Sequence, residues 1–237
     1  MNPFERISLL KENYQTGWLD AYAQSTSKSL WKEEPIEFLP DYVDRFKKNN
    51  VRHILDVGCG DGRNAIFLLK NGFSVTGIDL SPIATRKASD WAQSAGLQNA
   101  TFLNTDIEEF PWALDENAFD SIVCLDVFGQ ILKIDSLVNN FYRTIRPGGY
   151  VLTNLYTPQD AAYSIGKAVG HNTFLYKDTL WRFFTKEDIK KIFSKFTIVD
   201  IKSLTWVDPP HPGYRDDPHT HDSYIVLLQK GIELPGV

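Results

Sequence analysis

The 237-residue chain predicts an α/β fold: a doubly wound, mostly parallel sheet with helices on both faces. Two observations carry that prediction. Short apolar runs alternate with stretches of helical periodicity along most of the chain, the pattern of successive β-α-β units. The first run, residues 52–57, also passes directly through LDVGCGDG (55–62) into a stretch where Ala65, Leu68 and Leu69 share one helical face. Gly58 and Gly60 lack a Cβ, so backbone N–H groups there can come close to a ligand, and Gly62 lets the helix begin hard against the strand.

The remaining elements follow in order. A second apolar run, 73–78, ends in Asp79. Ser81-Pro82 reads as an N-cap followed by a first-turn proline, and Ala84, Ala88, Trp91, Ala92 and Ala95 then repeat at helical spacing. Two further strands are expected before Asp106 and before Leu125. Asp135 is placed to cap another helix with Val138, Phe141, Tyr142 and Ile145 inward, and Pro147-Gly148-Gly149 turns the chain into a strand over 150–156. Thr185 with Asp188 has the spacing of a capping box, followed inward by Ile189, Ile192, Phe193 and Phe196. Runs 197–206 and 223–229 read as an antiparallel pair, with no repeats or low-complexity tracts.

Apolar residues make up 43% of the chain, enough for one substantial core without a membrane-length run. We therefore expect one domain over 1–237: an N-terminal helical cap (1–50), a ligand-binding core (51–156), an insertion (157–184), and a C-terminal helix with a strand pair (185–237). Glu5, Arg6, Lys11 and Glu12 interrupt any signal-peptide core near the start, which points to a cytoplasmic protein. The only cysteines, Cys59 and Cys124, fall in the glycine turn and in a strand, which suits buried small hydrophobes better than a disulfide or a nucleophile.

The register of the glycines narrows the ligand. A dinucleotide fingerprint would place its third glycine three residues after Gly60, where this chain has Arg63. Asp56 would repel a pyrophosphate but suits a cationic α-amino group, held directly or through water. Asp79 stands where a carboxylate accepts both ribose hydroxyls. A nucleoside joined to an amino acid is S-adenosylmethionine. Alone, the glycine turn could equally be a tight structural turn.

Across residues 55–151 the chain resembles the class I, Rossmann-like, S-adenosylmethionine-dependent methyltransferases, in the motifs LDVGCGDG, VTGIDLSP, FLNTDIEEFP, FDSIVCLDVFG and RTIRPGGYVL. That resemblance implies seven strands in the order 3-2-1-4-5-7-6 with the last antiparallel. It also implies Gly58, Cys59 and Gly60 against the methionine moiety, Asp79 on the ribose, and Leu80 beside the adenine. Asp106 would accept the adenine amino group, Ile107 would pack near the ring or donate its backbone N–H to it, and the turn from Leu125 to Val127 would line the methionine end. The stretch WKEEPIEFL (31–39) is similar to one in tellurite-resistance-like small-molecule methyltransferases.

The acceptor site should lie outside the carboxyl ends of the parallel strands, where three long segments converge. The first is the N-terminal region with Tyr14, Trp18, Tyr22 and Trp31, of which Tyr14 and Trp31 are assigned to the cofactor side and Trp18 to the substrate. The second is the insertion, read as a long binding loop or lid, which brings Tyr176 and Trp181 near Tyr156. The third is a loop over 207–222, VDPPHPGYRDDPHTHD, with His211, His219 and His221 as candidate bases and Tyr214 and Arg215 as candidate acceptor contacts. A solvated polar loop is the competing reading of this segment.

Metal ligation is a second alternative there. His219 and His221 point to one side of an extended segment and could bind zinc or iron with His211 or an aspartate, though the leading assignment includes no metal. The loop's aspartates could instead keep the histidines protonated. Gln130 stands near a position where many members of the resembled family carry histidine, so a base would have to come from the late loop.

A formal charge of −5 and a sequence pI near 5.5 disfavour a phosphate-tracking surface and hence a nucleic-acid partner. Asp208-Pro209-Pro210-His211 looks like the DPPY signature of DNA amino-methyltransferases, but it stands far from the fourth strand where that signature belongs. The expected activity is methyl transfer to oxygen, nitrogen or sulfur of a small aromatic or anionic metabolite, without a membrane partner and with an oligomer possible. Alternatives are a protein or nucleic-acid methyltransferase, an aminopropyltransferase, or a non-catalytic cofactor-binding subunit.

Overall fold

In a computed structural model, residues 17–26, 28–30, 32–176, 179–208 and 217–232 are described. After a helix over 17–24 (α1) and α2 (Pro40–Lys48), strands and helices alternate: β1 (His53–Val57), α3 (Arg63–Lys70), β2 (Ser74–Asp79), α4 (Pro82–Ser94), β3 (Ala100–Asn104), β4 (Phe119–Cys124), α5 (Ile134–Thr144) and β5 (Ile145–Tyr156). The insertion supplies β6 (Lys167–Gly170), β7 (Thr173–Tyr176) and β8 (Thr179–Arg182). The chain then forms α6 (Lys186–Ile192), β9 (Thr197–Asp208) and β10 (His219–Gln229). Among the described residues, no helix is long and apolar enough to cross a membrane.

The main sheet has seven strands in the order β3-β2-β1-β4-β5-β10-β9. β10 alone runs against its neighbours, antiparallel to both β5 and β9, so the expected order and direction are borne out. Side chains alternate across the sheet, and each face has its own core. Leu55, Ile122, Val151 and Val226 pack with Phe128, Phe141, Phe184 and Phe193 beneath α5 and α6. Ile54, Val123, Leu152 and Ile225 pack on the other face with Phe46, Leu68 and Trp91 of α2, α3 and α4.

Local chemistry explains where helices start. Ser81 Oγ accepts the Ala84 N–H at 3.2 Å at the head of α4. Thr185 and Asp188 form the reciprocal capping box expected from their spacing. Asp135 corrects the expectation: the N-cap of α5 is Lys133 without a side-chain cap, and Asp135 lies in the first turn. There its charge favours the positive end of the helix without replacing a cap. β5 also begins at Ile145, so α5 runs straight into it and the Pro-Gly-Gly segment belongs to the strand.

Two larger differences lie in the insertion and in the late polar segment. The insertion is not a structureless loop but a three-stranded antiparallel sheet, β6-β7-β8. Tyr163, Phe174 and Phe183 form its own small core, with ring centroids 5.3 to 6.0 Å apart in edge-to-face contact. The second difference concerns the polar segment expected to be a loop over 207–222. Among its described residues, 207–208 and 219–222 are strand: Asp208 pairs with His219, Val207 with Thr220, and Trp206 with His221. Polar residues are tolerated there because the two histidines turn inward to bonded positions instead of into an apolar core.

Removing the α6 cap should be a local and purely structural change. Thr185→Ala is expected to cost about 1 kcal/mol in urea unfolding while leaving cofactor affinity untouched. A loss of cofactor affinity would show that α6 reaches the site.

Candidate active site

The turn between β1 and α3 is held in left-handed backbone at Gly58 (φ 71°), Gly60 (φ 53°) and Gly62 (φ 97°). A Cβ at Gly58 would come within 2.5 Å of Val127 Cγ2, one at Gly60 would strike the Tyr22 hydroxyl, and one at Gly62 would meet Ala88 of α4 at 2.9 Å. Each glycine thus serves a close approach. The N–H groups do not face a ligand as expected. Those of Gly58 and Cys59 donate to the Ile78 carbonyl at 2.8 and 3.1 Å, that of Gly62 to the Cys59 carbonyl at 3.0 Å, and that of Gly60 to Asp79 Oδ2 at 2.9 Å. A pyrophosphate would find these four donors already used, whereas a ligand that needs close backbone packing and no anion nest still fits.

Two buried carboxylates, Asp56 and Asp61, and the half-buried Asp79 surround this turn. Burial pushes the Asp56 carboxyl up to about 7, with the Asp79 charge adding to the rise. Asp56 Oδ2 has no hydrogen-bond partner, and the residue sits behind the cavity wall instead of in it. Asp79 is raised by burial against the pull of two N–H donors, Gly60 and Ser81, each at 2.9 Å. Asp61 is also raised by burial, and it accepts Ser29 Oγ–H at 3.0 Å and the Leu30 N–H. With Asn64, which accepts the Ile36 N–H at 3.0 Å, Asp61 fastens the N-terminal segment over the turn.

Most of the expected site residues line a single cavity. Gly58, Cys59, Gly60, Asp79, Leu80, Asp106, Ile107, Leu125, Trp18, Tyr156, Trp181, His219 and His221 all belong to its lining, with Trp18 beside Tyr22 over the glycine turn. Tyr176 does not: it is 40% exposed and outside the lining, because, although the register places it on the same face as Phe174 and Trp181, it stands at the hairpin end of β7, two residues beyond the Phe174–Trp181 pair. Tyr14, Trp31, His211, Tyr214 and Arg215 lie outside the described residues. Both cysteines are buried and free, and burial pushes their thiols well up, which makes them poor nucleophiles.

Several lining residues were given no ligand-binding role from the sequence. Arg63, the residue in place of a third fingerprint glycine, pairs with Asp126 at 3.0 Å. Asp126 sits in left-handed backbone at φ 60° after β4, accepts the Asn154 side-chain N–H at 2.8 Å and the Tyr156 hydroxyl at 3.2 Å, and donates its own N–H to Asn154 Oδ1. Glu108, only 1% exposed, accepts the N–H groups of Leu132 and Lys133 and so ties the turn after β3 to the start of α5. Gln130 presents a buried carbonyl oxygen with no partner. A single left-handed aspartate or an orphaned amide leaves no periodic trace in a sequence.

At the far end Tyr156, Trp206 and His221 stack in tilted geometry, with His221 centred 5.1 Å from Tyr156 and 5.4 Å from Trp206. His221 Nδ1 bonds Asp160 Oδ2 at 2.9 Å. Burial works against its charged form, but the Asp160 hydrogen bond and charge outweigh it and raise the imidazole above its ordinary value. The carboxylate that most favours the charged form of His221 therefore comes from the insertion, while Asp208 of the late segment, the source considered from sequence, adds less.

A Rossmann-like sheet of this order, with one antiparallel strand, a glycine turn and an acidic residue at the end of β2, matches the fold of S-adenosylmethionine-dependent methyltransferases. A family model described as a methyltransferase domain matches residues 30–198, and the chain belongs to that family. Ubiquinone biosynthesis O-methyltransferase of Rickettsia prowazekii is 30% identical over 181 residues, 71% of this chain and 67% of that protein. The protein of the same name from Rickettsia typhi is 30% identical over 159 residues, but the match spans only 61% of its length and 64% of this chain. Among solved structures, an S-adenosylmethionine-dependent methyltransferase from Methanosarcina mazei superposes with TM-score 0.65 at 20% identity, covering 84% of this chain and 100% of that one. The 1,6-didemethyltoxoflavin-N1-methyltransferase of Burkholderia thailandensis, solved with S-adenosylhomocysteine, gives TM-score 0.61 at 17% identity, covering 98% of this chain and 91% of that one. These likenesses at low identity concern the fold.

The carboxylates around the glycine turn set a pH dependence for the cofactor-free protein. Because the folded Asp56 carboxyl is raised from 3.8 to about 7, its contribution is fully present below 3.8 and is lost as pH rises through 7. Asp61 and Asp79 shift in the same direction. Thermal unfolding of apo protein should show falling stability between about pH 4 and 8, and Asp56→Asn should recover up to roughly 4 kcal/mol at the upper end. Equal stability of the two proteins at about pH 8 would contradict this assignment.

Proposed function

We propose that this methyltransferase acts on a small metabolite, at an oxygen, nitrogen or sulfur of an aromatic or anionic molecule, with an aromatic ring oxygen the best supported. The observation that carries the reading is that the Asp79 and Asp106 end and the Tyr156 and His221 end line the same cavity. α1 adds Trp18 and Tyr22 to that lining, and β8 adds Trp181, which suits an enclosed molecule better than a macromolecular groove. The name shared by the Rickettsia relatives, an O-methyltransferase of ubiquinone biosynthesis, agrees with an aromatic oxygen acceptor. We read the whole of 1–237 as one such domain, acting without nucleic acid.

The bound cofactor supplies a methyl group activated on a sulfonium. In this reading the free lone pairs of Asp79 accept the ribose hydroxyls while its N–H bonds from Gly60 and Ser81 fix its direction. Asp106 accepts the adenine amino group, and Leu80 and Ile107 flank the ring. Arg63 is the cation nearest in sequence to the glycine turn and binds the methionine carboxylate; unpartnered Asp56 supplies negative potential behind the turn for the ammonium. Tyr156, Trp181 and Trp18 exclude water and align the acceptor, which is most of what an in-line displacement needs from a protein.

Asp79→Ala removes two charge-assisted hydrogen bonds, so calorimetry with S-adenosylhomocysteine should show an affinity loss of about tenfold to a hundredfold. With wild-type protein, labelled methyl should pass to small phenols and not to peptide or RNA pools. Transfer to a macromolecule, or cofactor binding with no transfer to any pool, would favour the protein, nucleic-acid or regulatory readings instead.

A further inference from the structure

The acceptor end of the cavity holds a cluster that methyl displacement itself does not require. Asp208 closes β9, and His219 and His221 open β10, so the antiparallel register sets them on one edge of the hairpin. Each offers one ligand atom, and these atoms lie within 4.8 Å of one another. We propose that Asp208, His219 and His221 form a divalent-metal site of the two-histidine, one-carboxylate type, whose open positions take the oxygens of an acceptor with two adjacent oxygen donors. The inference rests on the reading of this cavity as the one shared by cofactor and acceptor.

Hydrogen bonds on the outer side of each ring support a ligating role. His219 Nδ1 lies 3.1 Å from the Asp217 carbonyl oxygen, which can only accept, so this nitrogen carries the proton and Nε2 is left as the ligand atom. His221 Nδ1 faces Asp160 Oδ2 at 2.9 Å, again leaving Nε2. Asp160 is itself fixed: it is 4% exposed and accepts the Asp222 N–H at 2.9 Å and the Ala162 N–H at 2.7 Å. A buried carboxylate or carbonyl holding the far nitrogen of a histidine is the usual support of a metal ligand.

Distances fit the same reading. His221 Nε2 stands 3.7 Å from Asp208 Oδ2, too long for a hydrogen bond and close to the spacing of two ligands on one ion. Ligand atoms around a filled site are about 3–3.5 Å apart, so an ion would draw the widest pair together by an ångström or so. Two imidazoles and a carboxylate suit zinc, iron(II) or cobalt(II) better than magnesium or calcium. A hydroxyl coordinated there gives its proton to solvent more readily; its oxygen pair then forms the bond to the methyl carbon, and the carbon–sulfur pair leaves with sulfur.

Cobalt(II), a spectroscopic substitute for zinc, tests this on chelator-treated wild-type protein by titration followed in the visible range, with S-adenosylhomocysteine calorimetry on the same samples. The expected result is one ion per chain, displaced by zinc, with catechol changing the cobalt spectrum and phenol leaving it unchanged. His219→Gln should lower cobalt affinity at least a hundredfold, and Asp160→Asn, which removes no ligand but loses the carboxylate that supports His221 and one acceptor for the Asp222 or Ala162 N–H, by about tenfold to a hundredfold. Wild-type protein that binds S-adenosylhomocysteine but takes up no stoichiometric cobalt would overturn the metal site while leaving the methyltransferase reading intact. A cobalt spectrum indifferent to catechol would overturn the chelating acceptor, and variants that keep full cobalt affinity would overturn the ligand set.

Discussion

The structure hinges on one carboxylate. Asp79 ends β2 and accepts the N–H of Gly60 from the turn after β1 and of Ser81 from the head of α4, binding two crossovers to one residue. With the Ile78 carbonyl taking the Gly58 and Cys59 N–H groups, it sets the glycine turn flat against β2 and consumes donors that a phosphate would need. Burial raises its carboxyl, so this arrangement costs stability and is retained where a ligand with hydroxyls and a positive charge can offset the cost. Binding and folding here draw on the same few groups.

From that pivot the site is assembled by segments remote in sequence. The N-terminal segment is fastened by Asp61 and Asn64, so that Tyr22 lies over Gly60. Asp126, strained into left-handed backbone, gathers Arg63, Asn154 and Tyr156 and joins the cofactor end of the cavity to the acceptor end. The insertion contributes Trp181 to the wall and Asp160 to His221, while its own aromatic cluster keeps it a folded sheet. On the proposed reading, this folded sheet would position the acceptor by preorganisation.

The core of the fold was legible because it follows from local rules. Apolar runs ending in Asp79 and Leu125, the Ser81 cap and the Thr185 capping box all express periodicity or short-range hydrogen bonding, and all are present. The late segment was misread because its strand character comes from pairing with β9 and from buried polar partners, neither of which shows in a stretch rich in Asp, Pro and His. Tyr176 and Trp181 look equivalent in sequence, yet Tyr176 stands at the hairpin end of β7, past the pair that carries Trp181, and only Trp181 reaches the cavity. Asp126 and Asp160 were hidden for a related reason: their roles lie in contacts 28 to 63 residues away along the chain.

The central claim is that the turn after β1 holds the amino-acid tail of an adenosine ligand beside a cavity that also receives the acceptor. A crystal structure with S-adenosylhomocysteine tests it most directly. The account predicts the ribose on Asp79, the adenine by Asp106 and Ile107, and the sulfur facing Tyr156 and His221. Adenosine bound elsewhere, or a dinucleotide whose phosphates occupy the glycine turn, would contradict it.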